Sequence, residues 1–297
     1  MGQKDSSEKL LEDYNDVFAD IVNVLLFNGR EVVKTEELSE APTDSQYKAM
    51  DDTLHEQERD VAKYWEKCGI RIAMYGLENQ TGQDKDMPMR VFNYEGAAYR
   101  SQLTKEEKIN KRYPVVTLVL YFGLNHWSAP MSLYEMLDIP DGLQPYINDF
   151  KINLFEIAYL SNEQVKMFTS DFGIVAEYFS TVRKGMDPQT CMGQKKILHV
   201  DEMLKLMTAM TGDRRFLETV ASLPEGGNGM DITMSTVLDQ IENKGIKKGI
   251  KKGSNEKGIR CYINCRKRGL SEADSQQIAE ISDDIVCAAE KQYLKNK

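Results

Sequence analysis

Apolar positions along the chain switch between helical spacing and strict alternation, and those switches predict the elements. Leu10, Tyr14, Val17, Ile21 and Leu25 recur at helical spacing, widened by Leu11, Phe18 and Val22. Residues 7–28 are therefore expected to form a helix, capped by Ser6 or Ser7 and ended by Asn28-Gly29. Residues 34–58 are polar and acid-rich, contain Pro42, and read as loop. Residues 61–65 and 71–77 are short, apolar and partly β-branched or aromatic, with Gly69 between them, which is a hairpin pattern. Asp86-Met87-Pro88 marks the start of a helix that runs to about Leu103. Pro114 introduces a strand, residues 115–122, apolar on both faces and so expected inside a sheet. Ser132 with Glu135 forms a capping-box pattern for a short helix, and residues 150–157 alternate like a further strand. Ser161 with Gln164 opens a helix expected to end near Gly185. Helical spacing continues to about residue 240, interrupted by a loop at 224–229. A last helix covers 270–294, with Ile278, Ile281, Ile285, Ala289 and Tyr293 on one face.

One tract breaks these rules. Residues 243–269 repeat GIKK every four positions and hold ten Lys or Arg against one acid, Glu256. With a formal charge of −9 overall, the tract carries +9 and the rest −18. Each glycine costs about 1 kcal/mol in a helix, so the tract reads as mobile and solvated, turning helical on a partner. The chain is acidic overall, so nucleic acid would have to be held by this local patch: Lys244, Lys247, Lys248, Lys251, Lys252, Arg266, Lys267 and Arg268. The organisation expected is a core over 1–185, a helical extension over 186–242, the basic tract over 243–269 and a short helical tail over 270–297.

Charged residues make up 29% of the 297 residues and hydrophobic ones 41%, the balance of a soluble globular chain. The longest apolar run has strand length, so no membrane span is expected. The first residues lack a secretory signal, although MGxxxS fits a short myristoylation pattern. Five scattered cysteines fit a reducing cytoplasm, and Cys261 and Cys265 without a second pair read as ordinary thiols. His55, His126 and His199 lack triad or zinc spacing, and there is no Walker loop, GxGxxG or GxSxG.

The chemistry is expected in the hairpin. Period two puts Gly76, Glu78 and Gln80 on one face, and a turn at Gly69 sets Asp60 opposite Glu78, about 5 Å away. Two such carboxylates can share one divalent cation, with the Asn79 backbone carbonyl completing its shell. Gln80 can reach an attacking water. Asp13, Asp16 and Asp20 share an edge of the first helix. Taken alone, a D…ExQ spacing also describes surface carboxylates at strand ends.

The order of several segments adds to this. Residues 16–29, Arg59-Asp60-Val61, Leu77-Glu78-Asn79-Gln80, Met87-Pro88-Met89-Arg90 with Asn93-Tyr94, residues 113–123 with Trp127, and residues 149–154 together resemble the Rpn family. These are recombination-promoting nucleases, also labelled putative transposases (YhgA-like), of the PD-(D/E)XK superfamily. The resemblance covers about residues 13–185 and, loosely, the basic tail. It implies an α/β fold with a restriction-endonuclease-like core, a mixed central sheet flanked by helices, followed by a helical C-terminal extension. It also implies Mg²⁺-dependent (or Mn²⁺-dependent) DNA cleavage in recombination or mobile elements. Asp60 and Glu78 would bind metal and Gln80, standing where the superfamily has Lys, would position water. Asp16 or Asp20 would be an auxiliary acid, and Arg90 a phosphate contact. Two-strand cutting would suit a homodimer. The rival expectation is a catalytically silent nuclease fold that binds DNA or a partner through the basic tract and tail.

Overall fold

The computed structural model describes residues 10–48, 54–104, 112–220 and 232–295. It divides into two compact units, Met1–Val237 and Leu238–Lys297. The myristoylation pattern and the 224–229 loop lie outside the described residues.

In the first unit the strands are β1 (Leu38–Glu40), β2 (Asp44–Lys48), β3 (Leu54–Glu58), β4 (Val61–Lys67), β5 (Ile70–Gln80), β6 (Val115–Tyr121) and β7 (Asn153–Glu156). The central sheet runs β1-β4-β5-β6-β7, and β2 and β3 form a separate hairpin. Pairing is antiparallel from β1 to β5 and parallel from β5 to β7. This is the mixed α/β architecture expected. The β4–β5 hairpin turns through Cys68 (φ 52°) and Gly69 (φ 74°), the doubly positive geometry that matches strand twist. Its register pairs Val61 with Leu77, which leaves Asp60 and Glu78 as the next pair.

The loop expected over 34–58 is corrected: it supplies β1 and both strands of the small hairpin. These are polar strands fixed by main-chain pairing, so no apolar alternation announces them. β1 lies at the sheet edge and buries only Leu38.

Helices α1 (Asn15–Phe27), α2 (Met87–Thr104), α3 (Leu133–Met136), α4 (Asn162–Met167), α5 (Phe172–Arg183), α6 (Pro188–Cys191), α7 (Val200–Thr211) and α8 (Arg215–Val220) flank the sheet. α2 begins at the expected Pro and seats Met87 and Val91 on Val119 and Ile152. Three expected helical features are corrected. The first helix does not run unbroken: a 3₁₀ turn at Leu11–Asp13 ends at an extended Tyr14 (ψ 126°) before α1 begins. The helix opened by Ser161 breaks between α4 and α5, because the Thr169 and Ser170 N–H groups donate to Asp20 Oδ2 at 2.9 and 2.8 Å. The Ser161–Gln164 capping box itself is formed. At α3 the box is not: Glu135 instead accepts from the Met131 N–H at 2.7 Å, and Asp149 accepts from Tyr134 N–H at 3.0 Å.

The second unit is built from α9 (Met234–Lys267, its first turn in the first unit), α10 (Glu272–Ala279) and α11 (Asp283–Lys295). The basic tract is therefore helix, correcting the mobile reading. Its glycines are carried between a start capped by Thr233 and Thr236 and a far end held by buried Tyr262 and Ile263. Gly258 is required there: a Cβ would lie 2.3 Å from Ile281 Cγ2. The expected single tail helix is two, broken at Glu280, which adopts φ 51°. Ile281 and Ala289 are buried, whereas Ile278 is exposed.

Candidate functional site

The site sits at the open end of the β4–β5 hairpin. Asp60 precedes β4 and accepts the Asn79 N–H through Oδ2 at 2.7 Å, which locks the two strand ends together. Glu78 is 3% exposed, on the same strand face as Gln80, whose Nε2 donates to Glu78 Oε1 at 3.2 Å. Arg90, one turn into α2, reaches across: Nη2 contacts Glu78 Oε1, Nη1 donates to Asp84 Oδ2 at 2.8 Å, and Nη2 lies 3.3 Å from the Tyr94 hydroxyl. The structure thus brings together Asp60, Glu78, Asn79, Gln80 and Arg90.

Asp16 and Asp20 are not brought there. Asp20 is buried, 8% exposed, and is occupied by the 169–170 backbone and the Ser170 hydroxyl at 2.7 Å. Asp16 faces His199 Nε2 at 3.2 Å, and that ring stacks on Tyr14. The acid that does approach is Glu12. The break at Tyr14 turns it inward, where Oε1 accepts from Asn79 Nδ2 at 3.2 Å. Reading residues 7–28 as one helix hid it, since the acidic edge of such a helix runs through Asp13, Asp16 and Asp20.

Arg59, also missed, lies under the site. It is 3% exposed, its guanidinium stands 5.3 Å from the Tyr94 ring centroid, and its side chain packs close to Gly76. A Cβ at Gly76 would meet Arg59 Cδ and Nη1 at 3.0 Å, so the glycine is what admits the guanidinium beneath β5. The signal in the sequence was a glycine inside a strand, which marks close approach of another group.

The electrostatics are those of crowded, desolvated acids. Burial, then the neighbouring Asp60, pushes Glu78 up to about 7, against the opposing pull of Arg90, Gln80 and Arg59. Burial likewise raises Glu12 to about 7, with Asp60 and Asp13 adding to the rise. Asp60 is thus the common neighbour of both. Glu12 Oε2, Glu78 Oε2 and Asn79 Oδ1 are buried without a hydrogen-bond partner. Oxygen acceptors left without donors beside three carboxylates fit a hard cation in donor chemistry. Among the described residues, no three His, Cys, Asp or Glu side chains close into a ready-made metal cage.

The remaining predicted contacts lie on α9 and its end. Lys244, Lys247, Lys248 and Lys251 share one helical face by 3.6-residue geometry. Lys252 lies 4.0 Å from Glu256, and Lys267 and Arg268 are exposed. Arg266 is engaged within its own unit, pairing with Glu290 at 2.9 Å and donating to the Leu270 carbonyl. His126 stacks on Tyr159 and faces Glu156 at 3.1 Å. No described helix is long and apolar enough to cross a membrane.

Fold and site together define a mixed α/β protein that carries a buried acid cluster and an amide at the end of a central sheet strand. Residues 70–203 match the family model described as "Putative transposase, YhgA-like", so the family resemblance is shown over that stretch. Glu78, Gln80 and Arg90 fall inside the match; Glu12 and Asp60 lie before it and are joined to it by geometry alone. No curated protein and no solved structure matches the chain.

Proposed function

We propose that the chain is a metal-dependent DNA endonuclease that hydrolyses phosphodiester bonds, acting in recombination or mobile-element processes. The observation that carries the reading is the cluster of buried oxygen acceptors without donors around Asp60: Glu12 Oε2, Glu78 Oε2 and Asn79 Oδ1. Asp60 and Glu78 would hold Mg²⁺ or Mn²⁺, with Glu12 as the auxiliary acid in place of Asp16 or Asp20, and the Asn79 side-chain Oδ1 rather than its backbone carbonyl as a further donor. A bound ion of this kind polarises the phosphate and makes water a nucleophile near neutral pH. Gln80, on the Glu78 face, orients the water through its amide; it can donate and accept hydrogen bonds but holds no proton to transfer. Arg90 presents a planar fork to phosphate oxygens. Arg59, buried on Gly76, supplies fixed positive charge behind the acids.

The lysine face of α9 supports DNA as the substrate, since four lysines on one face track a phosphate backbone in a salt-dependent way. A specific observation favours the second reading, a silent binder: Arg90 already occupies Glu78. Supercoiled plasmid incubated with wild-type protein in Mg²⁺, Mn²⁺ or EDTA separates them. Nicking in Mg²⁺ or Mn²⁺ and none in EDTA supports the nuclease. Salt-sensitive binding of the plasmid with no nicking in any metal supports the binder.

A further inference from the structure

We infer that Arg90 is a resident counter-ion of Glu78 which a divalent cation displaces, and that the displaced guanidinium then serves the substrate phosphate. The inference rests on the nuclease reading above and deepens it. One nitrogen of the Arg90 fork contacts Glu78 Oε1, inside the site, while the other holds Asp84 Oδ2 at 2.8 Å. The Tyr94 hydroxyl lies 3.3 Å from the nitrogen that faces Glu78. The Glu78 side chain is 4% exposed and that of Arg90 33%, so the guanidinium spans the step from buried acid to solvent edge.

A five-donor planar fork can release one partner and keep another. When Glu78 is taken by a cation of higher charge, Arg90 stays tethered through Asp84 at the rim. The N–H groups it withdraws from Glu78 then face the side from which an oxyanion approaches. The tether matters, because a free arginine would lose the position on leaving the acid. Asp84 fits that role: it lies four residues past the end of β5 and its Oδ1 also accepts the Asp86 N–H at 2.9 Å, which fixes it at the entry to α2.

Two consequences separate this from a purely structural ion pair. First, the guanidinium competes with metal, so apparent metal affinity is lowered by the fraction of molecules in which Glu78 is unoccupied. A charge-assisted contact to a buried carboxylate makes that fraction about one in ten or smaller. Second, metal and DNA assist each other reciprocally, because each favours the state in which Arg90 has left Glu78.

The experiment uses the full chain as wild type, Arg90→Gln and Arg90→Lys, with Mn²⁺ binding followed by titration calorimetry. The affinity of a short labelled duplex is measured in Ca²⁺ and in EDTA. Arg90→Gln should bind Mn²⁺ about tenfold tighter than wild type. It should also lose most of the gain in DNA affinity that Ca²⁺ gives the wild type. Arg90→Lys keeps a cation on Glu78 and should bind Mn²⁺ close to wild type. If wild type binds Mn²⁺ and a cooperatively melting Arg90→Gln binds it no tighter, the exchange is overturned and the nuclease reading stands. If neither binds Mn²⁺, the metal site fails and the exchange fails with it.

Discussion

Replacing Glu78 by Gln should stabilise the metal-free protein above neutral pH and do progressively less as pH falls. Glu78 titrates near 7 in the folded chain against an ordinary 4.5, chiefly because it is buried. Between those values the folded state holds a proton that the unfolded state has released. Stability is therefore highest below about 4.5, declines as pH rises through the window and levels off above 7. A shift of about 2.5 units corresponds to about 3 kcal/mol across the whole window. About 1.3 kcal/mol of it falls between pH 6 and 8, a range that stays clear of the isoelectric point near 5.1. For a unit of this size that is about 3–5 °C in melting temperature. The assay is a thermal melt in EDTA at several values from pH 6 to 8, following wild type and Glu78→Gln. The wild type should lose those degrees relative to the variant as pH rises, and Mn²⁺ at pH 8 should restore them to the wild type only. Parallel pH profiles for the two proteins would refute the claim that a desolvated, cation-seeking carboxylate sits at this position.

Other outcomes follow from the same geometry. Asp20→Ala should cost about 2–4 kcal/mol by stranding the Thr169 and Ser170 N–H groups while leaving Mn²⁺ affinity unchanged; Glu12→Gln should weaken Mn²⁺ binding at least about tenfold without destabilising the fold, both read by melting and calorimetry. Gly76→Ala drives a methyl into Arg59 and should destabilise the first unit by about 1–3 kcal/mol in chemical denaturation, with any cleavage lowered in step. Lys247→Ala with Lys251→Ala should weaken duplex binding and reduce the slope of log affinity against log salt by about 2, measured by anisotropy at several salt concentrations.

How much of this was legible in the sequence depends on what carried the signal. The hairpin was, because Gly69 between two short apolar runs marks a turn. Its register was legible only in part: the turn pairs Glu66 with Arg71, which alone would set Asp60 opposite Leu77, and a bulge between Trp65 and Glu66 that no sequence pattern marks brings Asp60 opposite Glu78. The start of α2 was marked by Pro88, and β6 by an apolar run that had to be buried on both faces. The breaks were not legible. At Tyr14, at 168–171 and at Glu280 apolar residues recur on both sides of the break, so spacing alone does not mark where the backbone leaves the helix. The first of these breaks is why Glu12 was missed. The strands over 34–58 left no trace because their sequence is polar and carries no apolar alternation. The glycine-rich tract was misread for the opposite reason: local propensity opposes a helix that anchoring at both ends enforces. Arg59 lay beyond sequence reasoning, except that a glycine within β5 marked where something approached.

On the proposed function, Asp60 and Glu78 are the pair on which metal-dependent phosphodiester cleavage depends. The most direct test is nicking of supercoiled plasmid in Mg²⁺ or Mn²⁺ by wild type, Asp60→Ala and Glu78→Ala, each first shown to melt cooperatively. Wild type should give nicked circles, with none in EDTA and none with either variant. Undiminished nicking by a folded Asp60→Ala or Glu78→Ala protein would contradict the proposed function, as would a wild type that binds the plasmid and leaves it intact in every metal.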